Sequence, residues 1–293
     1  MPMLLIDASV YIFRAYHALP SSITGRDGRS LNAVHGYADC LTRLLDDSAA
    51  RDAAVACFDE SLTSSFRNEL YADYKATREL PPEALVEQIA ACRALTCALG
   101  VATVSSPVYE ADDLIGTLMQ DAATDVTIVS SDKDLAQLLR ADRNDVLWDF
   151  GRDTRYDRAA IYDKFGVTCE QIPDYLALVG DTVDNIPGVP GIGAKRAAAL
   201  LARWPSLDAL LADLDGLAAS ELRASQSLAD KLADHADQAR LSKRLATIVT
   251  GVALSDEQQT TQREAVDSPA LAELCDALGA GNGLRKKLGV VPL

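Results

Sequence analysis

Gly180-Asp-Thr-Val-Asp-Asn-Ile-Pro-Gly-Val-Pro-Gly-Ile-Gly-Ala-Lys-Arg-Ala197 joins two kinds of chemistry in one short stretch. Asp181 and Asp184 stand three apart, the spacing that sets two carboxylates on one face of a helical turn. Behind them Gly188, Gly191 and Gly193 alternate with prolines, and a helix is predicted to begin at Ala194-Lys195-Arg196. Glycine lets backbone N–H groups come close to an anion, and a helix N-terminus favours phosphate. Carboxylates suit a metal, and a glycine turn suits a nucleic-acid backbone. The stretch therefore predicts a metal-dependent enzyme acting on polynucleotide, with its remaining ligands elsewhere in the chain.

Those ligands are sought upstream. Met3-Leu-Leu-Ile6 reads as a buried strand ending at Asp7, Ala53-Ala-Val-Ala-Cys-Phe58 as a second ending at Asp59, and Val126-Thr-Ile-Val129 as a third with Asp132 and Asp134 just beyond. Helical segments separate them, and strand C-termini of a mostly parallel α/β sheet open onto one crevice. A single aspartate after a strand is an ordinary turn or N-cap residue; repetition after three strands makes a pattern. Glu110-Ala-Asp-Asp113 adds three carboxylates at the start of an apolar helix. One would satisfy the macrodipole, whereas three repel one another unless a cation neutralises them.

Composition narrows the classes. The 293 residues, 48% hydrophobic and 24% charged, suffice for two modest soluble domains. No apolar run approaches the roughly 18 residues that span a bilayer, so no membrane partner is expected. The start reads as a strand rather than a signal peptide. Six scattered cysteines read as reduced thiols of a cytoplasmic protein, not as a zinc site. The net charge of −15 does not exclude nucleic acid, because Lys195, Arg196 and Arg203 lie in a stretch without acids and phosphate responds to local charge. Val146-Leu-Trp148 is a further strand. From Arg158 the pattern is helical, placing a domain boundary at 157/158.

Residues 61–82 supply a second candidate. Arg67, Tyr71, Lys75 and Arg78 recur at helical spacings before Pro81-Pro82 stops the run. On spacing alone this is an ordinary solvated face, since Glu69, Asp73 and Glu79 bring the segment to zero net charge.

In order, Val55–Asp59, Phe66–Arg78, Glu110–Asp113, Val129-Ser-Ser-Asp-Lys-Asp134 and Gly180–Gly193 resemble the motifs of the 5′–3′ exonuclease (flap endonuclease) family, over Asp7 to about Leu254. No polymerase follows, so the resemblance is to the stand-alone bacterial form. It implies a PIN-like α/β nuclease domain (1–157) with a mostly parallel sheet and a helical arch. A mainly α-helical helix–three-turn–helix (helix-hairpin-helix) domain with C-terminal helices (158–293) follows. It implies Mg²⁺- or Mn²⁺-dependent hydrolysis of DNA at 5′ ends and 5′ flaps, RNA-primed ends included, by a monomer active in DNA replication and repair.

The family's acidic residues map to Asp7, Asp59, Glu110 and Asp112 around a first metal, and Asp132, Asp134, Asp181 and Asp184 around a second, with Asp113 behind. Two such ions can clamp the attacking and leaving oxygens of an in-line displacement. Lys75 and Arg78 match cations facing the scissile phosphate, while Arg67 and Tyr71 would line the passage of a single 5′ strand and Arg14 would lie near phosphates. Gly188, Gly191, Gly193, Lys195 and Arg196 would grip the duplex. The backbone carbonyls of Leu178, Val179, Pro187, Val189 and Ile192 match a potassium site.

Two competitors remain: a non-catalytic structure-specific DNA-binding module, which predicts erosion of the carboxylates, and a PIN-type ribonuclease, which leaves the hairpin, Lys75 and Arg78 unexplained. A HAD-type phosphotransferase would need an aspartate where Ser9 stands.

Overall fold

The computed structural model describes residues 3–46, 53–60 and 64–290. Residues 61–63 of the basic segment and the outermost ends of the two expected domains lie outside the described residues. Six strands form one sheet in the order β3-β2-β1-β4-β5-β6: β1 (Met3–Asp7), β2 (Ala54–Asp59), β3 (Ala102–Ser106), β4 (Val126–Val129), β5 (Val146–Asp149) and β6 (Thr154–Tyr156). All neighbours pair in parallel except the last, where β6 runs antiparallel to β5. β1 holds the centre, and the chain leaves it first toward β2 and later toward β4. This reversal opens a crevice beyond the strand C-termini, and Asp7 and Asp59 stand at its edge.

Alternation along the strands divides the interior in two. Leu4, Ile6, Ala54, Ala56 and Phe58 face one side, against α1 (Ala8–Ala18), α2 (Asn32–Asp46) and α4 (Glu83–Ala98). Met3, Leu5, Val55, Cys57, Val126 and Ile128 face the other, against α5 (Ala111–Gln120), which follows the short α3 (Phe66–Leu70) and α4 in the chain. The second core runs without a break into the helices that follow: α6 (Arg158–Phe165), α7 (Ile172–Val179), α8 (Ala194–Leu201), α9 (Leu207–Ala212), α10 (Leu214–Ala218), α11 (Ser225–Asp234) and α12 (Ala236–Ala246).

Two sequence expectations are corrected here. The basic segment is not a helix to Pro81. α3 stops at Leu70 and residues 72–77 form turns, with Lys75 at φ 55°. A β-carbon disfavours that left-handed backbone, and it persists because the Lys75 N–H donates to Asp184 O at 3.0 Å. Second, the last helices, α13 (Ser268–Ala277) and α14 (Asn282–Lys287), do not belong with the helical domain. Leu271, Cys275, Ala280, Leu284, Leu288 and Val290 complete the core formed by α1, α2 and α4. The returning chain passes so close to Gly100 (φ 76°) that a β-carbon there would lie 2.2 Å from Glu264 O. Glu264 N–H donates to Gly100 O at 2.9 Å and Asp267 N–H to Ala98 O at 2.8 Å. Arg285 is buried against Ala280 O and Asp276, and Lys287 pairs with Asp39 at 2.6 Å, so these two cations brace the fold.

Candidate active site

Each carboxylate reaches the crevice by a local device. Asp7 ends β1 and caps α1, accepting from Val10 N–H at 3.2 Å and from Ser130 Oγ at 2.7 Å. Asp59 ends β2 and accepts from Ala111 N–H at 2.8 Å, which ties that strand to the start of α5. Glu110 is the N-cap of α5 and Asp112 lies in its first turn. After β4, Ser130 Oγ accepts from Asp132 N–H at 3.0 Å and Asp132 from Asp134 N–H at 2.9 Å, turning both toward the same opening.

Asp181 and Asp184 do not ride on a helical turn as their spacing suggested. They sit in a hairpin turn closed by reciprocal bonds, Asp181 N–H to Ile186 O at 2.9 Å and Ile186 N–H to Asp181 O at 2.7 Å. Asp181 also accepts from Val183 N–H at 2.6 Å. A helix at Asp181 is unavailable because Gly180 breaks α7 at φ 80°.

The acids repel one another out of water. Burial, then the neighbouring Asp59, pushes Asp7 up to about 7. Burial, then Asp132, Asp181 and Asp184, pushes Asp134 up to about 8. Asp112 is held well above the usual range by burial and by Asp132, Asp7 and Asp59, and Asp132 is raised chiefly by burial. Glu110 behaves oppositely: burial works to raise it, but Lys75 and Arg67 overcome this and hold it low.

Two cations and a tyrosine span the cluster. Lys75 Nζ lies 3.0 Å from Glu110 Oε1 and 3.8 Å from Asp184 Oδ2. Arg78 pairs with Asp184 Oδ1. Tyr74, which sequence reading missed, is buried, with its hydroxyl 3.1 Å from Glu110 Oε2 and 3.3 Å from Asp184 Oδ2. The helical spacing of Arg67, Tyr71, Lys75 and Arg78 drew attention away from it. The turn carrying all three is pinned to the Asp181 hairpin by Asn185, whose Nδ2 donates to Asp73 O at 2.7 Å.

Arg67 and Asp113 correct the expected site. Arg67 does not line a strand passage: it is 2% exposed and donates to both oxygens of Asp113, at 2.7 and 2.8 Å. Asp113 is fully buried and also accepts from Glu110 N–H at 3.1 Å and Val249 N–H at 2.8 Å. With each oxygen accepting two hydrogen bonds, it has no lone pair left for a metal. Tyr71 caps α3 and packs half-buried on the core rather than standing free. Arg14 lies 3.7 Å from Asp149 and 3.4 Å from Gly151 O, lining a cavity with Tyr11 and Phe150.

The remaining eight acids are hard oxygen donors with no histidine or thiol among them, a set that suits Mg²⁺ or Mn²⁺ and whose mutual repulsion a dication would relieve. Among the described residues no three His, Cys, Asp or Glu side chains converge closely enough, as placed, to hold a metal ion. Lys75, Arg78 and Tyr74 contact oxygens of Glu110 and Asp184, one acid from each of the two ligand groups expected from the sequence.

Beside the crevice runs the glycine hairpin. Gly188 packs so tightly that a β-carbon would lie 2.4 Å from Val179 C and O. α12 supports this turn: Gln238 donates to Gly188 O at 2.7 Å and Ser242 Oγ to Pro187 O. Leu178 O accepts from Val189 N–H at 2.9 Å and Val189 O from Ile192 N–H at 3.0 Å, so three of the five expected potassium carbonyls already accept a hydrogen bond. Gly193 and Lys195 are exposed, and Arg196 donates to Gly191 O at 2.6 Å. Lys231, unnoticed in the sequence, lies over Gly191, its Nζ 2.7 Å from where a β-carbon would be.

A carboxylate crevice at the switch point of a mostly parallel sheet, faced by two cations and flanked by a glycine hairpin, is an arrangement suited to phosphodiester chemistry on an α/β scaffold. The chain belongs to the 5′–3′ exonuclease family: residues 2–166 match its N-terminal resolvase-like domain and residues 167–269 its C-terminal SAM fold. It is 38% identical to DNA polymerase I of Rhizobium leguminosarum over 278 residues, 92% of this chain and 26% of that protein. It is 40% identical to DNA polymerase I of Pseudomonas aeruginosa over 260 residues, 87% of this chain and 28% of that protein. The chain thus spans about a quarter of these curated relatives.

Among solved structures, T5 5′-exonuclease with bound zinc superposes with a TM-score of 0.67 at 20% identity, covering 99% of this chain and 97% of that one. The catalytic core of Rad2 with DNA substrate gives 0.64 at 15% identity, covering 99% and 92%. These likenesses show the fold. No helix among the described residues is long and apolar enough to cross a membrane.

Proposed function

We propose that the protein is a structure-specific 5′ nuclease that hydrolyses DNA phosphodiesters at 5′ ends and 5′ flaps with the help of two Mg²⁺ or Mn²⁺ ions. One observation carries this reading: Lys75 and Arg78 reach into the same crevice as eight carboxylates, beside the glycine hairpin with Lys231 over Gly191. Asp7, Asp59, Glu110 and Asp112 would hold one ion, and Asp132, Asp134, Asp181 and Asp184 the other. Divalent ions there supply Lewis acidity and make water nucleophilic near neutral pH.

The chain's own groups do the rest. The hairpin and Lys195, Arg196 and Lys231 hold the duplex backbone without reading bases. Lys75 and Arg78 bind the non-bridging oxygens of the phosphate and stabilise the charge that develops there. Arg14 holds a neighbouring phosphate. Potassium at the second lone pairs of the hairpin carbonyls would tighten the duplex grip, and a fall in duplex affinity when Na⁺ replaces K⁺ tests this. We further propose that it acts near 5′ ends, RNA-primed ends included, as a monomer in the cytoplasm.

Cleavage of a 5′-flap duplex in Mg²⁺ tests the reading, comparing wild type with Asp112→Ala and Lys75→Ala. Loss of a transition-state cation is expected to slow single-turnover cleavage by about 10²–10³-fold, with duplex binding retained. Wild-type protein that binds the flap and never cuts it, in Mg²⁺ or Mn²⁺, would leave only a binding module.

A further inference from the structure

Arg67 makes more contacts than an arch-lining cation needs. Its Nε donates to Leu245 O at 2.8 Å, and Nη2 to Thr247 O at 3.1 Å as well as to Asp113. Its Nη1 lies 2.7 Å from Asp113 Oδ2 and 3.4 Å from Glu110 Oε2. All five donors of the guanidinium are used, and the group is buried. The two carbonyls close the C-terminal end of α12, whose earlier turns hold the hairpin through Gln238 and Ser242. A second tie reaches the same terminus from the other acidic group. Gln137, in the short 3₁₀ turn that begins at Asp134, donates to Ala246 O at 3.0 Å and accepts from Ile248 N–H at 3.0 Å.

We propose that Arg67 is a positioning residue that fixes Glu110 and the start of α5 against the end of α12, setting the carboxylate crevice and the duplex-gripping hairpin in one register. Gln137 does the same for the Asp134 side. The proposal rests on the nuclease reading above and adds to it a route by which a shift of the hairpin is transmitted to the cation-holding oxygens. Lysine cannot substitute, because it lacks the fork that spans Asp113 while reaching two carbonyls.

Arg67→Lys and Gln137→Leu are compared with wild type in three measurements: Mn²⁺ binding by calorimetry without DNA, flap-duplex affinity in EDTA, and single-turnover cleavage across a Mg²⁺ series. Groups that orient ligands typically change metal affinity or activity by about 10–100-fold. The expected result is Mn²⁺ affinity lowered within that range by Arg67→Lys, a slower rate at saturating DNA, and duplex affinity in EDTA within about twofold of wild type. Gln137→Leu shifts Mn²⁺ binding in the same direction, which keeps the proposal testable if Arg67→Lys does not fold. Weakened flap affinity with unchanged Mn²⁺ binding overturns the proposal in favour of direct DNA contact. A lowered melting temperature with metal binding and rate both unchanged overturns it in favour of simple bracing. Wild-type protein that binds Mn²⁺ but does not cleave defeats the nuclease reading instead, and the Mn²⁺ isotherms still decide the role of Arg67.

Discussion

Leu271→Ala should destabilise the α/β domain although it lies on the penultimate helix, 115 residues beyond the last strand's Tyr156 and three beyond the start of α13. Leu271 is 0% exposed, and Cys275, Leu284 and Leu288 lie in the same core as α2 and α4. Shortening a buried leucine to alanine costs about 2–5 kcal/mol, the upper end applying where neighbours cannot close the space. The site is enclosed by helices but lies at the edge of the sheet, where α13 can settle inward, so about 3 kcal/mol is expected. With a urea slope near 3 kcal/mol per molar for a chain of this size, the midpoint should fall by about 1 M.

The two tryptophans make the measurement specific. Trp148, on β5, is buried in the same core as Leu271, while Trp204 lies in the helical domain. In a Trp204→Phe background the fluorescence transition reports on the catalytic domain, and Leu271→Ala should move it. An unchanged Trp148 midpoint would show that the tail is an appendage of the helical half and that its place in this core contributes nothing.

Two further outcomes follow from the geometry. Asp7 and Asp134 are raised to about 7 and 8, above the ordinary value of 3.8, so the folded state binds protons the unfolded chain has released. Their contribution to stability is full below pH 3.8 and is lost as pH rises through 7 and 8. Melting temperatures in EDTA should therefore fall across that window, and Asp134→Asn should flatten the fall; a pH-independent melting temperature would refute the claim that burial and the neighbouring acids raise these two carboxyls. Gly188→Ala places a β-carbon 2.4 Å from backbone atoms of Val179, which cannot yield without moving α7 or the hairpin. Duplex affinity should drop by about tenfold or more, on the scale of 1.4 kcal/mol per decade, with a smaller loss of Mn²⁺ affinity passed to the crevice through α12 and Arg67; unchanged duplex affinity would show that the hairpin does not grip the backbone.

The strand-end aspartates were legible because a buried strand and a following acid are both local signals. Asp59 and Asp132 could be read without knowing what lay beside them. The basic segment misled for the converse reason. Helical spacing linked Arg67, Tyr71, Lys75 and Arg78, but long-range bonds to Asp184 and Asn185 hold residues 72–77 as turns and bend Lys75 into a left-handed backbone. Periodicity also cannot tell an exposed arginine from a buried one. Arg67 went inward because Asp113 and two free carbonyls at the end of α12 wait there, all far away in sequence. β3 and β6 were missed because they are only partly buried and lack a continuous apolar run. The apolar stripes of α13 and α14 announce that a face is covered, not by what.

That last feature bears on how the protein is made. Between the end of α4 at Ala98 and the start of α13 at Ser268 the ribosome must add 170 residues (268 − 98). At about 5–20 residues per second this takes roughly 10 to 30 s. Through that interval the apolar faces of α2 and α4 lack their final partner, while the helical segment around the hairpin emerges and can fold. The half of the chain synthesised first is then the half completed last, and the nascent protein carries an uncovered hydrophobic surface that a chaperone could shield until α14 docks.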